Sequence, residues 1–153
     1  MLFLLKILRE LNISKEHIRF ERSNSEENFK KDLGIGRIYQ IEKWFSDLGY
    51  SSDKYIIDKD FNIKVKRHLD LRGTNITSLP DNLSVGGWLD LNGTKITLLS
   101  DNLIVKWSLD LSGTNITLLP DNLYVKYIII LDKNQKGKVY VPEHLKKKVR
   151  YYV

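Results

Sequence analysis

Apolar and polar positions recur along the chain with a period of 20 residues. The segment Leu69-Asp70-Leu71-Arg72-Gly73-Thr74-Asn75-Ile76-Thr77-Ser78-Leu79-Pro80-Asp81-Asn82-Leu83-Ser84-Val85 is repeated at 89–105 and again at 109–125, with Ser100 standing where the other units have Pro80 and Pro120. Half-units flank the array. Phe61-Asn62-Ile63-Lys64-Val65 matches Asp81–Val85, and Ile129-Ile130-Leu131 matches Leu109-Asp110-Leu111. Val141-Pro142-Glu143-His144-Leu145 echoes Leu119–Leu123 two residues out of register. A unit this short cannot bury its apolar side alone, so the units must stack and share one core. Six positions per unit stay apolar, those of Leu69, Leu71, Ile76, Leu79, Leu83 and Val85, and each predicts a ladder through the stack. The Leu-x-Leu pair alternates with period two and predicts a short strand. Gly73, Gly93 and Gly113 follow it where a turn needs positive φ. Thr74, Thr94 and Thr114 come next, with hydroxyls able to satisfy turn backbone groups or one another. Pro-Asp-Asn marks a second corner.

The first third carries a helical pattern instead. Leu2, Leu5 and Leu8, with Leu4 and Leu11, have helical spacing that Asn12–Ser14 interrupts. Lys6 and Arg9 break up the apolar start and no small-residue cleavage site follows, so a buried helix is expected rather than a signal peptide. Ser23-x-x-Glu26 is a capping-box signal, followed by Phe29 and Leu33 on one face. Gly34-Ile35-Gly36 predicts a turn. Ile38, Ile41, Trp44, Phe45 and Leu48 mark an amphipathic helix that ends at Gly49. The expected organisation is a helical cap over 1–52, a solenoid over 53–149 and a tail over 150–153, giving an α+β β-solenoid of 20-residue repeats.

The unit Leu-x-Leu-x-x-Thr-x-Ile-x-x-Leu-Pro-x-x-Leu resembles the short leucine-rich repeat of bacterial and phage proteins. The resemblance implies a right-handed solenoid that binds protein through its strand face. The position that family fills with Asn is Thr74, Thr94 and Thr114 here, so the corner is expected to be looser or more like that of a β-helix. Ile41-Glu42-Lys43-Trp44-Phe45, followed by a Tyr-Ile-Ile strand and the repeats, is similar to small phage-encoded repeat proteins. That likeness implies an inhibitor of a host defence protein or metabolic enzyme acting by steric blocking, in the cytoplasm of the host cell. Some bacterial members carry a cysteine-dependent ubiquitin-ligase domain, a role the cysteine-free composition excludes here.

Composition narrows the chemistry further. The absence of cysteine removes disulfides, zinc–thiolate sites, iron–sulfur clusters and thiol nucleophiles. At 153 residues, with 42% apolar and 29% charged, the chain is long enough for one core without such staples. No apolar run of about 18 residues occurs, so no membrane span is expected. The net charge of +6 is unevenly placed: residues 69–132 have 4 Lys/Arg against 7 Asp/Glu, whereas 133–153 have 7 against 1. Any polyanion contact would use the tail or the first third.

Few residues present candidate chemistry. Gly34-x-Gly36-Arg37 lacks a preceding strand and a third glycine, and reads as a tight turn rather than a dinucleotide loop. A helix-turn-helix around Lys30, Lys31, Arg37 and Lys43 would hold Glu26, Glu27, Asp32, Glu42 and Asp47 against phosphates. Asp70, Asp90 and Asp110 point outward between buried leucines. Arg72, His68 or turn backbone would compensate them, or they form an acidic stripe for a basic partner; a flat row does not converge on a metal ion. His68 and Trp88 lie beside that row and are candidate contact residues. Trp107 shares parity with Val105 and Leu109 and is expected to be partly buried. His17, His68 and His144 have neither metal nor triad spacing.

The function expected is thus a non-enzymatic protein-interaction module. It uses His68, Asp70, Arg72, Trp88, Asp90 and Asp110, without cofactor or metal, as a monomer or an end-to-end dimer. The alternative is a nucleic-acid binder that uses Lys146, Lys147, Lys148 and Arg150 with the helical N-terminal region.

Overall fold

The computed structural model describes residues 34–152. The helix expected over the first residues, the Ser23–Glu26 capping box and the faces carrying Phe29 and Leu33 lie outside the described residues. Residues 34–40 belong to one compact unit, Met1–Gln40, and the solenoid lies in a second, Ile41–Val153.

The repeats fold into a β-solenoid with two parallel sheets. Sheet 1 has the order β1 (Tyr55–Ile57), β2 (Ile63–Val65), β4 (Leu83–Val85), β6 (Ile104–Val105), β8 (Tyr124–Val125). Sheet 2 runs β3 (Leu69–Asp70), β5 (Leu89–Asp90), β7 (Leu109–Asp110), β9 (Ile129–Asp132), β10 (Val149–Tyr152). Pairing is parallel throughout except for β1, which lies antiparallel on β2. Register is the repeat itself: Leu69, Leu89, Leu109, Ile129 and Val149 stand in one row. The strand predicted at Leu-x-Leu is therefore present, two residues long, and a second strand at Leu83-Ser84-Val85 and its counterparts is an addition to it. Side chains from both sheets fill the space between them. All six predicted ladders are buried, apart from Ile76, which is only partly covered in the first coil.

The first corner is built from glycine and threonine. Gly73, Gly93 and Gly113 have φ of +65°, +68° and +67°, a region where a Cβ is costly. Each following threonine donates its hydroxyl to the leucine carbonyl three residues back, at 2.7, 2.8 and 2.6 Å for Thr74, Thr94 and Thr114. The hydroxyls thus satisfy their own turn rather than each other. The second corner places Ser100 where the neighbouring units have proline, with its hydroxyl buried and without a partner. Proline occupies the equivalent backbone in the neighbouring coils. Ser100→Pro is expected to stabilise the protein by about 1 kcal/mol, by removing an unpaired buried hydroxyl and restricting the unfolded chain. A thermal melt checks it, and an unchanged or lower Tm would mean that the Ser100 backbone differs from that of Pro80 and Pro120.

Each end of the stack is closed by a different device. Before the first coil, helix α1 (Ile35–Asp47) buries Ile41 and Phe45, with Trp44 and Leu48 partly covered. Phe45 stacks on Tyr55 with centroids 4.0 Å apart and meets Trp44 edge-on at 5.0 Å. The turn predicted at Gly34-Ile35-Gly36 is confined to Gly34, since Ile35 and Gly36 already lie in the helix. α1 ends at Asp47, two residues before the expected Gly49, which instead forms the closing turn with φ +75°; the N–H of Gly49 donates to Ser46 and that of Tyr50 to Phe45, which satisfies the last carbonyls. The Tyr50 hydroxyl then accepts from the Asp70 N–H at 2.7 Å and donates to the Asp70 carbonyl at 3.1 Å. It closes the outer edge of β3, while β1 covers that of β2. At the far end, Lys148 donates to the Val125 carbonyl on β8 and Arg150 to the Val149 carbonyl on β10. Gln135 reaches back to the Thr114 carbonyl at 3.2 Å and closes the threonine row. Residues 150–152, expected as a tail, are part of β10.

One carboxylate in the cap gives stability a pH dependence. Burial pushes the Glu42 carboxyl up to about 7 from an ordinary 4.5. The folded state holds this proton where the unfolded chain has released it, so stability falls as pH rises from about 4.5 through 7. Glu42→Gln is expected to leave Tm unchanged near pH 4 and to raise it above pH 7. A parallel shift at both pH values would mean that the gain is not electrostatic.

Candidate functional site

Between the sheets each coil turns through three residues: 66–68, 86–88, 106–108 and 126–128. Backbone bonding continues through this corner, with Gly87 N–H to Arg67, Trp107 N–H to Gly87 and Tyr127 N–H to Trp107. The coils are therefore held one above another and their corner side chains form rows. The aromatic members touch. His68 stacks on Trp88 with centroids 4.8 Å apart and planes at 16°. Trp107 meets His68 edge-on at 5.9 Å and Tyr127 edge-on at 6.1 Å. Gly87 leaves the space that this clustering needs, since a Cβ there would collide with the His68 ring. His68 Nδ1 accepts from the Trp88 N–H at 3.1 Å, which places the neutral ring's proton on Nε2.

Exposure among these rings differs from the sequence expectation. Trp107 is 52% and Tyr127 50% exposed, while Trp88 is more covered, lying flat against His68. The parity that links Trp107 to Val105 and Leu109 does not survive the turn between them.

The acidic row lies on sheet 2, directly beyond the corner. Asp70, Asp90 and Asp110 stand opposite one another. Arg72 bonds Asp70 through Nε at 2.9 Å and Nη2 at 2.6 Å, and reaches Asp90 at 3.4 Å. Asp90 also accepts from the Asn92 N–H, and Asp110 from the N–H and hydroxyl of Ser112. Arg72 beside Asp70 holds that carboxyl below its usual range. Burial, reinforced by the neighbouring Asp110 carboxylate, pushes Asp90 above it. Local turns and one arginine thus engage the row, which ends at Ile130.

Of the basic residues of the alternative site, Arg150 lies on β10 opposite Ile130, while Lys146, Lys147 and Lys148 lie in the 3-10 helix Glu143–Lys148 that precedes it. Lys146 pairs with Glu143 at 2.6 Å. The Arg150 and Lys148 side chains are engaged with strand carbonyls, and the Lys148 ammonium also lies 5.6 Å from the Tyr124 ring centre.

On sheet 1, next to the corner, is a shallow hollow of about 730 Å³. Ile104, Trp107 and Tyr124 form its apolar floor and wall, Lys106 and Lys126 one rim, Asn102 and Asn122 the other. Tyr124 is 50% and Ile104 38% exposed. The sequence reading passed over these outward positions of sheet 1. The signal that would have found them is variation, because Lys64, Ser84, Ile104 and Tyr124 occupy one row between positions that stay leucine-like and valine.

Among the described residues no group of three His, Asp or Glu side chains is placed to hold a metal ion, and no helix is long and apolar enough to cross a membrane. The fold and its repeat define the chain as a parallel β-solenoid repeat protein of 20-residue coils. No protein-family profile, curated protein or solved structure gives a significant match to it.

Proposed function

We propose that this is a non-enzymatic protein-binding solenoid, of the leucine-rich-repeat type that its unit resembles, which works by occupying a partner's surface. The observation that carries this reading is the corner cluster of His68, Trp88, Trp107 and Tyr127, two of whose rings are half-exposed. Exposed aromatics on a rigid backbone, beside charged neighbours, are the composition of interface hot spots. Asp70, Arg72, Asp90 and Asp110 then form a polar border on the sheet 2 side of these anchors. Likeness to phage-encoded repeat proteins supports a host defence protein or metabolic enzyme as the target, blocked sterically inside the host cell.

The test is affinity capture from bacterial lysate with and without nuclease, followed by titration of the recovered partner. A stoichiometric protein that survives nuclease is expected, with affinity falling about 30-fold, or ~2 kcal/mol, on Trp107→Ala while circular dichroism is unchanged. Trp88→Ala should weaken it as well, by freeing His68. Unchanged affinity in both variants would overturn the reading.

A second reading has its own support. Residues 133–153 carry 7 Lys/Arg against 1 Asp/Glu, which favours a nucleic-acid contact using Lys146, Lys147, Lys148 and Arg150. Recovery of nucleic acid alone, with affinity falling steeply as salt rises, would establish it instead.

A further inference from the structure

We infer that the hollow on sheet 1 receives an extended acidic segment of the protein partner, with an apolar or aromatic side chain seated between Ile104, Trp107 and Tyr124 and carboxylates against Lys106 and Lys126. This rests on the protein-binding reading above and adds the chemistry of the partner.

Three observations carry it. The first is the asymmetry of charge. Lys106 and Lys126 stand on adjacent coils along one rim of the hollow, whereas Asp101 and Asp121 lie beyond Asn102 and Asn122 on the other. A bound segment must therefore place its carboxylates on the lysine side, and the amide row on the opposite side can pair with its backbone.

The second is the exposed apolar floor. Ile104 and Tyr124 are directly opposite each other on β6 and β8, and Trp107 rises at the end of the same coil. Gly86, in the row of Lys106 and Lys126, contributes no side chain and leaves the hollow open toward the first coil. A shallow, open hollow on a flat sheet suits an extended chain better than a compact ligand.

The third observation decides between an acidic peptide and single-stranded nucleic acid. Base stacking needs free ring faces. Here the Lys126 ammonium lies 4.9 Å from the Tyr127 centre and the Lys148 ammonium 5.6 Å from that of Tyr124. A base would have to displace these cations, while a carboxylate binds them where they are.

The experiment uses the full chain and three probes: a dye-labelled random copolymer of glutamate and tyrosine, labelled polylysine and labelled oligothymidylate, each followed by fluorescence anisotropy. The copolymer is expected to bind saturably and more weakly as salt rises. Lys106→Glu with Lys126→Glu, and separately Ile104→Ala with Tyr124→Ala, should each lower its affinity about tenfold or more, with circular dichroism unchanged. Polylysine should not bind the hollow. Absence of copolymer binding, indifference to the lysine substitutions, or equal binding of oligothymidylate would each overturn the inference. A captured protein that depends on Trp107 but is indifferent to Lys106→Glu with Lys126→Glu would overturn it too, while leaving the protein-binding function intact.

Discussion

Gly86→Ala is expected to cost far more stability than Gly73→Ala in the same solenoid. A Cβ on Gly86 would lie 2.6 Å from the Lys66 carbonyl oxygen and 3.0 Å from the Lys66 carbonyl carbon and the Val65 oxygen. These are backbone atoms of the preceding coil and cannot swing aside. The Gly86 N–H meanwhile bonds the Val65 carbonyl at 2.9 Å, so relief requires the two coils to part where they are hydrogen-bonded. The expected loss is about 3 kcal/mol or more, at the upper end for overpacking, with a fall in Tm of roughly 10 °C. Gly73→Ala is the control. No atom lies within 4 Å of its would-be Cβ, and its penalty comes from positive φ alone, about 1–2 kcal/mol. Urea denaturation of the two variants separates the mechanisms. Equal losses would mean that the coils at Gly86 yield without cost.

Ile96→Ala should be the comparably severe change inside the core. Ile76, Ile96 and Ile116 occupy one position of three successive units, so the same substitution can be made three times in one chemical setting. Ile96 and Ile116 are buried, with coils on both sides, whereas Ile76 in the first coil is only partly covered. Removing the side chain of Ile96 takes away its transfer free energy and leaves a cavity, at a cost of roughly 3–4 kcal/mol. Ile116→Ala should cost nearly as much and Ile76→Ala about half. The order follows coverage, not sequence. If all three fell equally in denaturant titrations, the first coil would have to be covered as completely as the middle one.

How much of this could be read from the residues depended on how far each pattern extended. The 20-residue period and its six apolar positions located the core because a stacked array must repeat its buried rows. The glycine and threonine corner was legible for the same reason. Sheet 1 was not, because Leu83-Ser84-Val85 sits beside Pro80-Asp81-Asn82, which reads as a turn. Parity placed the aspartates outward correctly, since they lie within a strand. It misplaced Trp107, because Lys106–Ser108 turn a corner and alternation does not carry through a bend. The final coil was obscured by its own adjustment. Val141–Leu145 echo the preceding unit 22 residues back, yet Val149 pairs with Ile129 at 20, and a 3-10 helix over Glu143–Lys148 replaces the sheet 1 strand. Arg150 thus looked like part of a tail although it pairs with Ile130 in β10.

The closures at the two ends have a consequence for how such a chain changes length. Tyr50 with β1 at one end, and Lys148, Arg150 and Gln135 at the other, are tied to particular carbonyls and N–H groups of the outermost coils. Adding a unit beyond either end would strip those groups of their partners and leave bare strand edges, which invite aggregation. A unit inserted between them disturbs nothing, because each internal coil presents the same register above and below. Growth is therefore confined to the interior and comes in steps of one coil, each lengthening the molecule by about 4.8 Å. Every such step would also supply one more lysine–aromatic corner, so that reach across a partner could be set by copying residues 89–108 without redesigning either terminus.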